Sequence, residues 1–221
     1  MKKSINKIAV AMVMMLTAWC FNAQAQVTPE TPGVHFVCAG GSVDVGAPSA
    51  GETWVVRYSS TSTDTPNDNI DMDGNTFIPD QTGYYYLVAV NEDDCESEPQ
   101  EIPIYVLQPL AIEFIGDDYC SEDVVTTEFE VNVTSSDPNV STYAYQWYIV
   151  TGGVESAIDD ATEEAFNPTV ANPDEQTTYR VRVGYLIGGN KYCSVTTEKT
   201  ITVLPKPTKP TITIQSTAEN W

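Results

Sequence analysis

Tyr179-Arg180-Val181-Arg182-Val183-Gly184-Tyr185 decides the fold class. Tyr179, Val181, Val183 and Tyr185 alternate with Arg180, Arg182 and Gly184, and a period of two is a β-strand with one face inward and one in water. The rhythm continues on both sides of this stretch. Phe129, Val131 and Val133 alternate with Glu128, Glu130 and Asn132, and Tyr143, Tyr145, Trp147 and Ile149 line one face of the next run. Earlier in the chain Trp54, Val56 and Tyr58 alternate, as do Ile102, Ile104 and Val106; Ile201 and Val203 close the set. In Tyr84–Val90 the two sets are both apolar. Tyr84, Tyr86, Val88 and Val90 are assigned to the core, which leaves Tyr85, Leu87 and Ala89, with Tyr105 and Leu107, as an expected outward patch and interface candidate.

Turn residues separate these runs: Asp73-Gly74, Thr82-Gly83, Gly152-Gly153 and Gly188-Gly189. No stretch sustains a 3.6-residue period, although the acidic Asp159–Ala165 segment suits a single helical turn. Many short strands with regular turns make an all-β protein, an antiparallel sandwich or barrel.

The beginning of the chain reads differently. Lys2, Lys3 and Lys7 precede an apolar run from Ile8 to Trp19, and Ala23-Gln24-Ala25 supplies small residues for cleavage, so residues 1–25 form an expected signal peptide and Gln26 the new start. Trp19 before Cys20 argues against lipidation, and the later chain has no apolar stretch long enough for a membrane helix. The expected location is secreted or at the cell surface. Without Lys2, Lys3 and Lys7 the formal charge falls from −21 to −24. Such a chain repels nucleic acid and anionic lipid, so neither is an expected partner and no membrane insertion is expected.

Cleavage leaves Cys38, Cys95, Cys120 and Cys193, an even count suited to disulfides in an oxidising compartment. Three pairings exist; Cys38–Cys95 with Cys120–Cys193 gives one bridge per domain and is the expected one, each worth roughly 4 kcal/mol on a chain-entropy model. The chain repeats itself around these cysteines: Cys38, Trp54, Tyr84–Tyr86, Cys95 and Ile102–Leu107, then Cys120, Trp147, Tyr179–Tyr185, Cys193 and Thr200–Leu204. The expected domains are 26–108 and 109–205, each with its tryptophan in the core. Residues 206–221 follow as a Pro-rich linker and a terminal strand, Thr211–Ile214, which packs back, opens a truncated third domain, or pairs with another molecule.

Val37-Cys38-Ala39-Gly40-Gly41-Ser42-Val43, Thr53-Trp54-Val55, Asp80-Gln81-Thr82-Gly83-Tyr84-Tyr85-Tyr86 and Asn91-Glu92-Asp93-Asp94-Cys95 resemble the immunoglobulin-like repeats of secreted and cell-surface proteins from gliding and gut-type bacteria. Tyr119-Cys120-Ser121, Tyr145-Gln146-Trp147-Tyr148, Glu175-Gln176-Thr177-Thr178-Tyr179 and Tyr192-Cys193-Ser194 match less closely. The resemblance implies two tandem Ig-like antiparallel sandwiches. Cys95 and Cys193 are placed in the turn after the Tyr strand, so each expected bridge pins a strand start to that turn instead of crossing the core as in antibody domains.

Little catalytic chemistry is legible. His35 is the single histidine, and no nucleophile elbow surrounds it. Asn69, Asp71 and Asp73, with Gly74 and the acid Asp80, copy calcium-loop spacing at positions 1, 3, 5, 6 and 12. Asn at position 1, a short Asp at position 12 and Pro79 beside it count against calcium and for a plain turn; Glu92-Asp93-Asp94 is a second acidic turn. The expectation is a non-enzymatic module with no cofactor, calcium being the one candidate. It spaces, displays or binds a protein or glycan partner outside the cell. The alternatives are a calcium- or carbohydrate-dependent adhesin domain and a pilus-type subunit that assembles through its C-terminal strand.

Overall fold

A computed structural model describes residues 26–63, 65–66 and 68–212; the expected signal peptide and most of the terminal strand lie outside them. The chain divides into two compact units between Gln108 and Pro109. Every regular element among the described residues is a strand. Unit 1 contains β1 (His35–Cys38), β2 (Val43–Asp44), β3 (Glu52–Ser59), β4 (Asp68–Ile70), β5 (Met72–Asp73), β6 (Thr76–Phe77), β7 (Gly83–Asn91) and β8 (Gln100–Leu107). Unit 2 contains β9 (Leu110–Ile115), β10 (Tyr119–Cys120), β11 (Phe129–Ser135), β12 (Tyr143–Thr151), β13 (Val154–Ala157), β14 (Ala165–Phe166), β15 (Gln176–Ile187) and β16 (Asn190–Leu204).

Each unit has two sheets. The larger is β1-β8-β7-β3-β4 in unit 1 and β10-β16-β15-β12-β13 in unit 2; the smaller is β2-β6-β5 and β14-β11-β9. In both, a two- to four-residue strand runs parallel to the last strand and the remaining pairs are antiparallel. That strand order is the immunoglobulin-like sandwich. The hairpins follow their turn chemistry. Gly188 and Gly189, at φ 56° and 82°, take the two positive-φ positions of a type I′ turn between β15 and β16.

Register aligns the units residue by residue. Cys38 lies level with Leu107 and Cys120 with Leu204, each at the end of the last strand. Five residues back, Tyr85 faces Ile102 and Tyr179 faces Lys199; two residues on, Leu87 faces Val56 and Val181 faces Trp147. Trp147 therefore corresponds to Val56, and Trp54 corresponds to Tyr145. The repeat seen in sequence, which matched the two tryptophans, is displaced by two residues.

The core of unit 2 is aromatic. Phe114, Phe129, Trp147, Phe166 and Tyr179 bring five rings from both sheets together, with centroids 5.1–6.4 Å apart. Trp147 is 0% exposed, and its indole N–H donates to Glu163 O at 3.0 Å. The segment expected as a helical turn is instead a strap along β12: Ile158 N donates to Trp147 O and Trp147 N to Ala161 O. Unit 1 centres on Val56, Phe77, Tyr85, Leu87, Ile104 and Val106. Trp54 is only half-buried there, at the margin, with its indole N–H on Gly46 O at 2.8 Å.

The expected faces of β7 are reversed. Tyr85 and Leu87 point into the core with Ile104 and Val106, while Tyr84, Tyr86 and Val88 take the other face, and all five β7 residues are buried. No outward patch of Tyr85, Leu87, Tyr105 and Leu107 exists. Tyr105 and Leu107 are themselves buried, and successive strand residues point to opposite faces, so they do not share the core face of Ile104 and Val106. Alternation divides such a strand into two sets without saying which is inside when both are apolar.

Candidate functional site

The cysteines depart from the expected pairing. Cys38 and Cys193 are disulfide-bonded, whereas Cys95 and Cys120 are free thiols. The register gives the reason. Cys120 is level with Leu204, and Cys193 sits on the same strand, β16, eleven residues earlier, about 36 Å away at strand rise. In unit 1 Cys38 is level with Leu107, while Cys95 folds against Asn91 at the far end of β7, again about 36 Å away. A disulfide needs Cα atoms within about 7 Å. Cys193 is also not in a turn: it lies within β16, at φ 51°, in a bulge opposite Gly184. Gly184 has no room for a side chain, because a Cβ there would stand 2.8 Å from Tyr192 O.

The candidate calcium residues Asn69, Asp71, Asp73 and Asp80 line one open groove of about 650 Å³ with Met72 and Phe77. Their spacing is realised as β4, β5 and the β5–β6 hairpin. Gly74 at φ 61° is the first central residue of its two-residue turn, and Thr76 Oγ1 donates to Asp73 O. Among the described residues no three Asp, Glu, His or Cys side chains gather as a metal-holding group. In the Glu92–Asp94 turn, Asn91 Oδ1 accepts from Asp93 N and Cys95 N. His35 opens β1 on the surface, level with Ile104.

The most organised polar surface is the outer face of the large sheet in unit 2. Arg180 on β15 donates to Glu198 on β16 (2.9 and 2.5 Å) and to Glu155 on β13 (3.0 Å). Arg182 donates to the other oxygen of Glu155 at 2.7 Å and stacks 5.0 Å over the ring of Tyr148 on β12. Arg180, bonded first to Glu155 and then joined by Arg182, holds the Glu155 carboxyl below its usual range. Beside this lattice lies a hollow of about 230 Å³ lined by Tyr145, Gln146, Tyr148, Arg182, Lys191 and Ser194. The sequence displayed the two arginines as the wet positions of β15, but not Glu155, which lies 25 residues upstream of Arg180. Unit 1 offers one counterpart, Arg57 with Glu96, a bidentate pair at 2.9 and 2.5 Å.

A second surface is a crevice of about 420 Å³ in unit 1, between edge strands β1 and β2 and floored by Leu87, Ile102 and Ile104.

No protein-family model matches the chain, and no curated protein matches it. Among solved structures it is similar to the fibronectin(III)-like modules of Clostridium thermocellum CbhA, with TM-score 0.35 and 13% identity over 84% of this chain and 98% of that one. It is also similar to the amphioxus IgVJ-C2 molecule (0.32, 12%, 76% and 100%) and to three N-terminal domains of the bacteriophage RB49 outer capsid protein Hoc (0.35, 15%, 75% and 55%). The strand order of each unit, not these likenesses, identifies the fold.

Proposed function

We propose that the chain is an exported, non-enzymatic pair of Ig-like domains that spaces and presents a binding face outside the cytoplasm. The observation that carries this reading is the lattice on unit 2. Arg180, Arg182 and Tyr148 are held in place by Glu155 and Glu198, so their planar groups are ordered before any partner arrives. A half-exposed aromatic beside guanidinium and amide groups suits the hydroxyls and ring faces of a glycan, or a polar protein surface. In a chain this acidic, two cations lining one hollow, Arg182 and Lys191, also mark the place where a partner meets least repulsion.

The test recovers the tagged full chain from an expressing bacterium, reads its N-terminus and applies it to a glycan array. The expected result is a chain outside the cytoplasm beginning at Gln26, retained by a subset of glycans. The double variant Tyr148→Ala, Arg182→Ala should lose that retention by about tenfold or more, the scale of a central contact residue. A cytoplasmic chain, or retention untouched by the double variant, would sink the proposal.

A further inference from the structure

Unit 2 covers one side of its core with β9, which pairs with β11 over six positions and lays Ile112 and Phe114 on the core. Unit 1 has no counterpart among its described residues. Its small sheet ends at β2, two residues long and paired only with β6. The segment before β1 turns instead of extending: Thr31 N donates to Thr28 O and Val34 N to Thr31 O, and it contains Pro29 and Pro32. The place beside β2 is the crevice lined by Val37, Val43, Val45, Leu87, Ile102 and Ile104.

The chain carries a segment of matching character. β9 follows β8 after Gln108-Pro109, and Thr211-Ile212-Thr213-Ile214-Gln215 follows β16 after a Pro-rich stretch, at the same place relative to the preceding sandwich. Ile212 and Ile214 share one face by alternation, and Ile212 stands 82% exposed. Charge also fits. Residues 26–108 hold fourteen acids and one cation, while Lys209 sits just ahead of the segment.

We infer that Thr211–Gln215 of a second copy adds as a strand to the free edge of β2, with Ile212 and Ile214 in the crevice. The second copy is favoured by the geometry of unit 2. Leu110 pairs with Ser135, Ser135 bonds Tyr185, and Tyr185 pairs with Tyr192, so the junction to unit 1 lies at the Tyr192 end of β16. The tail leaves from Leu204, twelve residues along that strand, about 40 Å away. Pro205–Pro210 spans only about 19 Å when extended. Six residues are therefore too few to run back along β16 to that junction. Strand addition of this kind uses backbone hydrogen bonds for affinity and side-chain pockets for register. Because donor and acceptor surfaces differ, copies join head to tail.

The inference rests on the spacing role proposed above and extends it to a partner. The experiment compares the chain 26–221 with one ending at Lys209, by sedimentation over a wide concentration range. The expected result is that the full chain rises with concentration to at least twice the mass of one chain, while the shortened chain stays single. A peptide of residues 208–217 should raise the melting temperature of the shortened chain. The same peptide with Ile212→Asp and Ile214→Asp should not, nor should the native peptide act on a Val45→Asp acceptor. Equal masses for the two chains overturn the inference, as does a peptide without effect. Peptide binding with a full chain that stays single assigns the segment to its own chain and also overturns it. None of these failures touches export or glycan retention, which are measured separately.

Discussion

Unit 1 and unit 2 are the same sandwich, built with different means of closing it. Unit 2 covers its core with β9, fills it with five rings and seats Trp147 at the centre. Unit 1 has no strand beside the outer edge of β2 among its described residues, centres on the smaller Val56 and places Trp54 two residues along the strand, at the margin. The comparison teaches that in this fold the strand register, not the most conspicuous residue, defines equivalence. A tryptophan marks a β-strand facing the core, but where it lies along that strand depends on how much space the opposing sheet leaves.

The sharpest way to break this comparison is to remove Trp147 and Trp54 in turn. Trp147→Ala should cost unit 2 about 4 kcal/mol, since the cavity cannot collapse among rings held by both sheets. Against a typical domain stability of about 5–15 kcal/mol, that leaves unit 2 marginal or unfolded. Trp54→Ala should cost unit 1 about 1–2 kcal/mol, for half-buried surface and one hydrogen bond. Urea unfolding followed by NMR signals resolved for each unit reads the two costs separately. Equal costs would mean that the two positions are equivalent after all and that the register assigned here is wrong.

Tyr85 and Tyr179 sharpen the comparison from the opposite side, because they are equivalent and behave differently. Tyr85 donates its hydroxyl to Gln81 O, four residues upstream, at 2.7 Å, the contact of a tyrosine corner. Tyr179 is as deeply buried, but among the described residues its hydroxyl reaches no partner at good hydrogen-bonding geometry; it faces only the Tyr119 hydroxyl, which donates its own proton to Val170 O. Tyr85→Phe should therefore cost about 1–2 kcal/mol by stranding Gln81 O, and Tyr179→Phe should be neutral or stabilising. Burial, with Asp80 and Tyr58 adding to it, pushes the Tyr85 phenol from 10.0 up to about 12. The folded state keeps a proton that the unfolded chain loses first. The stability it contributes is complete below pH 10 and disappears between pH 10 and 12. Alkaline melting curves of Tyr85→Phe should be flatter over that window. A destabilised Tyr179→Phe would show that the hydroxyl has a partner.

Strand existence was legible because alternation is local: the runs around Trp54, Tyr84, Phe129, Tyr145 and Tyr179 became β3, β7, β11, β12 and β15. The inward set of β7 was not, because Tyr84 and Tyr85 are both aromatic and only the opposing sheet decides between them. The cysteine pairing failed for a related reason. Phe36-Val37 ahead of Cys38 and Tyr119 ahead of Cys120 show a strand but not at which end of the sandwich it lies. The parallel pairing of β1 with β8 and of β10 with β16 carries each of them to the opposite end from Cys95 and Cys193. The lattice of unit 2 was half legible. Arg180 and Arg182 announced a wet face, but Glu155 reaches them only through the β12–β13 hairpin.

The smallest expected difference concerns that lattice. Glu155 is held below its usual range by Arg180 first and Arg182 second, and Glu96 by Arg57 alone. A carboxyl with a depressed folded pKa contributes stability above its unfolded value, here 4.5, and loses it as pH falls through the folded value. Both units should therefore soften below about pH 4.5, and unit 2 should depend more on its carboxyl, because one Glu155 fixes two arginines and, through Arg182, the ring of Tyr148. Glu155→Gln should flatten the acid limb of unit 2 and free the Tyr148 ring, seen as a shift of its ring protons by NMR. Glu96→Gln should change unit 1 only slightly, and salt near 1 M should remove most of either effect, as for exposed pairs generally. If Glu96→Gln changes its unit as much as Glu155→Gln changes the other, the arginine pair gains nothing from sharing one carboxylate, and the outer face of unit 2 is an ordinary wet surface.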